Sequence, residues 1–161
     1  MGGVPYIAVV GADDSATAAE VADAAAVGAA LALQGAVVVC GGLGGVMEGA
    51  CRGAHETGGR TVGILPGSDR AAANPFVDIA IPTGMGELRN GLIVRAADAV
   101  IAVGGGFGTL SEIALALRTG TPVIGLGTWE LARDGRSEQA IVRAAHATDA
   151  VARALELAGS D

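Results

Sequence analysis

Residues 104–112, "GGGFGTLSE", combine backbone freedom with one acid. Four of the five positions 104–108 are glycine, and a helix-like stretch carrying Glu112 follows an apolar run, "AVIAV" (99–103). Glycine lets the main chain approach a ligand closely, and amides at a helix start can point at an anion. Phosphate is the natural guest. A tight turn needing positive φ would explain one or two of these glycines. It does not explain four, nor a second cluster at Gly41, Gly42, Gly44 and Gly45. The spacing is not GxGxxG with an acid closing the next strand, since that strand ends in Cys40, so an ordinary NAD site is disfavoured.

Glu112 admits two readings. Thr109-Leu110-Ser111-Glu112 is a T-x-x-E capping box, with the helix opening at about Thr109; Thr17-Ala18-Ala19-Glu20 offers the same box on an earlier helix. Alternatively Glu112 is a catalytic carboxylate. Arg89, in "GMGELRNGLIV", stands one turn inside another helix start and is placed to face Glu112 across a ligand.

Composition narrows the chemistry. The 161 residues carry a net charge of -7 and only four aromatic side chains, which disfavours nucleic-acid binding. All ten basic residues are arginine. Without lysine there is neither a pyridoxal Schiff base nor a Walker-type phosphate lysine. Cys40 and Cys51 lie eleven apart without a CxxC, and His55 and His146 have no ligand-like neighbours. Buried inert thiols are expected, and the sequence calls for no metal and no cofactor. No apolar run reaches the length of a membrane span, and "MGGVPYIAVV" lacks a basic leader, so a cytoplasmic protein is expected.

The elements that must position these residues are legible as alternation. Apolar runs at 6–10, 36–40, 61–65, 77–81, 99–103 and 122–126 suit strands buried on both faces. Helical patterns lie between them, at Ser15 to Gln34, Met85 to Ala97 and onward from Leu110. A last strand is expected at 140–144, before a terminal helix over roughly Thr148 to Leu157. The pattern predicts an α/β doubly wound parallel sheet, with residues 1–161 as a single domain. The loops leaving strands are long and glycine-rich: "GADDS", "GGLGG", "PGSDR", "PTGMGE", "GGGFGT". In such a sheet they gather at the carboxyl edge, where ligands bind.

"GGGFGTLSE" resembles the PGGxGTxxE signature of the LOG ("Lonely guy") family, phosphoribohydrolases often mislabelled as lysine decarboxylases. "GELRN" stands in the place of that family's arginine motif. The stretch "VVVCGGLGGVMEGACRGAHETGGRTVGILPG" is closer to a compact branch of the superfamily that includes molybdenum-cofactor carrier proteins. Two positions depart from the enzymes: Gly104 replaces the motif proline, and Asn90 follows the arginine where lysine is usual.

The resemblance implies a modified Rossmann fold that binds a nucleoside 5'-monophosphate, in a homodimer or tetramer. It implies Arg89 and Glu112 as catalytic residues for N-glycosidic cleavage. Ligand and phosphate contacts would come from Gly11, Gly42, Gly44, Asn90, Gly105, Gly106, Phe107, Gly108 and Thr109. The alternative it leaves open is a non-catalytic carrier of a phosphorylated pterin or nucleotide. Neither reading needs a metal, nucleic acid or membrane partner.

Overall fold

The computed structural model describes residues 3–160. Seven strands form one parallel sheet, flanked by five helices, an α/β Rossmann-like fold. In chain order the main elements are β1 (Tyr6–Gly11), α1 (Ala18–Leu33), β2 (Val37–Cys40), α2 (Gly45–Glu56), β3 (Arg60–Leu65) and β4 (Ile79–Pro82). After a 3-10 turn at Gly86–Arg89 come α3 (Asn90–Arg95), β5 (Ala99–Val103), α4 (Phe107–Thr119) and β6 (Val123–Leu126). A small hairpin, β7 (Leu131–Arg133) and β8 (Arg136–Glu138), precedes β9 (Val142–Arg143) and α5 (Ala147–Ala158).

The strand order is β4-β3-β2-β1-β5-β6-β9. The chain starts at β1, winds out to β4, then returns to β5 on the other side of β1. The order therefore reverses between β1 and β5, and the crevice opens at their carboxyl ends. Register pairs Gly11 with Val103 there.

Strand alternation builds two cores from one sheet. Ile7 and Val9 of β1 face Val27 and Leu31 of α1, with Ile101 and Val103 of β5 in the same layer. Ala8 and Val10 point the other way, toward Ile93 of α3 and Ile113 and Ala116 of α4. Glycine lets α1 and α2 touch backbone to backbone. A Cβ at Gly53 would lie 1.9 Å from the Ala25 carbonyl oxygen, and one at Gly28 would lie 2.0 Å from that of Ala50.

Boundaries differ from the sequence pattern where caps decide them. α1 starts at Ala18 because Thr17 and Glu20 close the expected capping box on both sides. The Met85 to Ala97 pattern splits into a 3-10 turn and a short α3, since Gly84 and Gly86 both hold positive φ at its start. The strand expected at 140–144 is only two residues long. The β7–β8 hairpin lay outside the pattern, although its turn is Asp134-Gly135, both at positive φ, a hairpin signal in its own right. Among the described residues no helix is long and apolar enough to cross a membrane.

Candidate functional site

Three loops at the carboxyl edge enclose a cleft of about 340 Å³, within the range of small-ligand sites. Gly11 ends β1 and Ala12, Asp13 and Ser15 follow it, Gly41 and Leu43 follow β2, and Gly106 to Thr109 open α4. Arg89, Asn90 and Glu112 complete the wall.

The decisive local feature is where α4 begins. Gly104 (φ 52) and Gly105 (φ 107) turn the chain at angles L side chains rarely adopt, and Gly106 becomes the N-cap. The helix starts at Phe107, not near Thr109. The expected capping box at Thr109 and Glu112 therefore does not form, because Thr109 already sits inside the first turn. No side chain caps this helix. The amides of Phe107, Gly108 and Thr109 are left to the cleft, at the positive end of the helix dipole. A Cβ at Gly106 or Gly108 would meet nothing within 4 Å, so open space lies in front of both.

One turn further on, Glu112 faces inward. It is 7% exposed and lines the cleft. Among the described residues no hydrogen bond holds its carboxyl. Burial pushes its pKa up to about 8, with the nearby Arg89 charge pulling the other way. Arg89 is also buried, at 8% exposed. Its Nε donates to the Ile64 carbonyl at 2.8 Å, and its terminal nitrogens reach the Gly41 carbonyl at 3.5 Å and the Asn90 Oδ1. Burial lowers Arg89 below the usual arginine range, and Glu112 opposes that shift. Gly41 makes room for it: a Cβ there would lie 2.7 Å from the guanidinium.

Of the residues singled out in the sequence, Gly11, Arg89, Asn90, Gly106, Phe107, Gly108, Thr109 and Glu112 share this cleft. Gly42, Gly44 and Gly105 do not line it. Gly42 packs on Leu65, Gly44 is the N-cap of α2 beside Asp13, and Gly105 clears the Thr109 side chain. The start of α2 is closed, because the Val46 amide donates to the Ala12 carbonyl. Asp13, Ser15 and Met47 line the cleft without having been singled out. Their signal was position alone, two polar residues in the loop after the first strand. Cys40 and Cys51 are free and buried, with sulfurs 3.4 Å apart under the β2 loop. Among the described residues no group of three His, Cys, Asp or Glu is placed to hold a metal ion.

Known proteins resemble this chain over nearly its full length. The model of the SLOG cluster4 family matches residues 4–155. The molybdenum cofactor binding protein of Rippkaea orientalis superposes with a TM-score of 0.85 at 35% identity, covering 96% of this chain and 97% of its own. The molybdenum cofactor carrier protein of Chlamydomonas reinhardtii gives 0.83 at 32% identity, covering 98% and 99%. An uncharacterized protein of Archaeoglobus fulgidus is 51% identical over 100 residues. That stretch is 62% of this chain and 66% of the relative. The superfamily indicated by "GGGFGTLSE" is the one these comparisons return.

The burial of Glu112 makes stability depend on pH. The folded protein keeps this proton up to about pH 8, whereas an ordinary glutamate loses it near 4.5. The unfolded state thus binds fewer protons across that window, and stability falls as pH rises through it. Glu112→Gln copies the protonated form and removes the dependence. The variant is expected to match wild type within ~1 kcal/mol at pH 5 and to exceed it by on the order of 4 kcal/mol at pH 9. Urea unfolding at the two pH values measures this, and an equal effect at both would contradict the buried, raised carboxyl.

Proposed function

The chain belongs to the SLOG cluster4 family, and from that premise we propose that its cleft holds a phosphorylated pterin of the molybdenum-cofactor type without turning it over. One observation carries the proposal: an uncapped helix start opens onto the same cleft as a buried arginine and a buried, unpaired glutamic acid. Support comes from the two relatives described as binding or carrying molybdenum cofactor, both matched over almost their whole length. In this reading residues 1–161 act as one unit. The amides of Phe107 to Thr109 take the phosphate. Arg89 adds a fixed positive charge, anchored on backbone carbonyls. Glu112, protonated near neutral pH, donates a hydrogen bond to the ligand without repelling its phosphate.

A second reading rests on the same glutamate. A carboxyl raised to about 8 is suited to act as a general acid, and Arg89 stands in the same cleft. With a nucleoside 5'-monophosphate bound, Glu112 would protonate the departing base while the ribose takes on oxocarbenium character. Water would then add to the sugar C1′ carbon and give up a proton to the Glu112 carboxylate, leaving free base and ribose 5-phosphate as products.

Two assays separate these readings. Mass spectrometry of ligand released from the purified protein, with calorimetry on neopterin monophosphate and common nucleoside monophosphates, is expected to find a bound pterin. A chromatographic assay for free base is expected to find none. Release of base, reduced at least ~100-fold by Glu112→Gln and declining above about pH 8, would establish the hydrolase instead.

We also propose that the chain self-associates. Leu88 is 78% exposed on the segment bearing Arg89, and Met85 and Leu92 are exposed beside it in sequence. A second copy of the chain is the expected cover for this apolar surface. Light scattering at micromolar concentration should give a dimer or tetramer. A monomeric mass would contradict self-association.

A further inference from the structure

The chain has only four aromatic residues, and two of them meet at the lip of the cleft. Phe107, first residue of α4, is 82% exposed and takes no part in the hydrophobic clusters of the core. Its ring centroid lies 5.6 Å from that of Trp129, with the planes inclined by 36°, a separation typical of interacting aromatic pairs. Trp129 is fixed in turn: its indole N–H donates to the Gly106 carbonyl at 3.2 Å, while the neighbouring Thr128 hydroxyl donates to that of Gly104. The glycine turn that sets the helix start therefore also holds the indole.

The two rings differ in what they face. Phe107 lines the cleft and Trp129 does not. The indole thus supports Phe107 from outside the site, leaving the phenyl ring available to whatever occupies the cleft. A ring left so largely exposed gains little from folding beyond its contact with Trp129. It gains from a ligand that covers it.

We infer that Phe107, supported by Trp129, is a stacking platform that selects ligands with a flat fused heterocycle joined to the phosphate. The inference rests on the reading of the α4 start as a phosphate site. Purines and pterins share the required chemistry, a planar π-face set a short linker away from a phosphate. A sugar phosphate without a ring would bind the amides but leave Phe107 uncovered. Stacking of a base on an aromatic side chain tolerates ring identity, so the platform fixes the class of ligand. Hydrogen-bonding groups around the cleft, among them Asp13 and Asn90, are left to choose the member.

Phe107→Leu tests this, because leucine is apolar and of comparable bulk but has no π-face. Calorimetry would compare wild type and variant against GMP, neopterin monophosphate and ribose 5-phosphate. An unchanged thermal midpoint would verify that the variant is folded. The variant is expected to bind the ring-bearing ligand about tenfold more weakly and ribose 5-phosphate as wild type does, with Phe107→Trp restoring the loss. Trp129 is the only tryptophan, so its fluorescence should respond in the wild type to the ring-bearing ligand and not to ribose 5-phosphate. Equal affinity of wild type and Phe107→Leu for the ring-bearing ligands would overturn the platform, as would a parallel loss of ribose 5-phosphate. If wild type binds ribose 5-phosphate but gains nothing from a ring, the platform falls and the phosphate site stands. If wild type binds none of the three, both fall together.

Discussion

The cleft depends on where one helix begins. The turn at Gly104 and Gly105 brings the chain off β5 so that α4 starts at Phe107, and neither position has room for a side chain. A Cβ on Gly104 would come within 2.0 Å of the Glu20 carboxylate, and one on Gly105 within 2.5 Å of the Thr109 side chain. From this start follow the open amides, the inward position of Glu112 and the exposed position of Phe107 at the lip of the cleft. Moving the start by three residues, so that Thr109 rather than Gly106 became the N-cap, would turn Glu112 into a cap and remove it from the cleft. Glycine at the turn is therefore what assigns Glu112 its place.

The electrostatics of the cleft are local. A chain with a net charge of -7 does not attract anions at long range. What favours an anion here is the dipole of α4 and the guanidinium of Arg89, the latter fixed by carbonyls of Ile64 and Gly41. Glu112 would cancel much of that if ionised. Its burial pushes its pKa up to about 8, so the protonated form predominates near neutral pH. Two glycine-rich helix starts at this edge, those of α2 and α4, differ in a telling way. The start of α2 is filled by the backbone of the β1 loop, where Val46 donates to Ala12 and the Asp13 carbonyl stands 2.2 Å from a Cβ position on Gly45. Both starts are rich in glycine. Only one is open.

This contrast also marks how far sequence could be taken. Apolar runs identified the main strands, and long strand-to-helix loops identified the carboxyl edge, because both follow from burial and the parallel topology. Thr17 to Glu20 formed the capping box its residues suggested. Thr109 to Glu112, with the same pattern, did not, since its outcome turns on the φ angles of two preceding glycines. Glycine composition could not separate Gly106 and Gly108, which face open space, from Gly42 and Gly44, which make room for neighbours. Asp13 was concealed for a similar reason, as a common polar loop residue that only tertiary packing brings to the cleft. Trp129 is distant in sequence from the glycine turn it braces, and no local pattern connects them.

The most direct measurement is of the α4 amides themselves. Backbone NMR of the 161-residue protein, titrated with inorganic phosphate and then with GMP or neopterin monophosphate, reports each amide separately. The account predicts that Phe107, Gly108 and Thr109 show the largest shifts, while Gly45 and Val46 at the closed start of α2 stay nearly still. Largest shifts at the α2 start, or at the amino-terminal edge of the sheet, would contradict it.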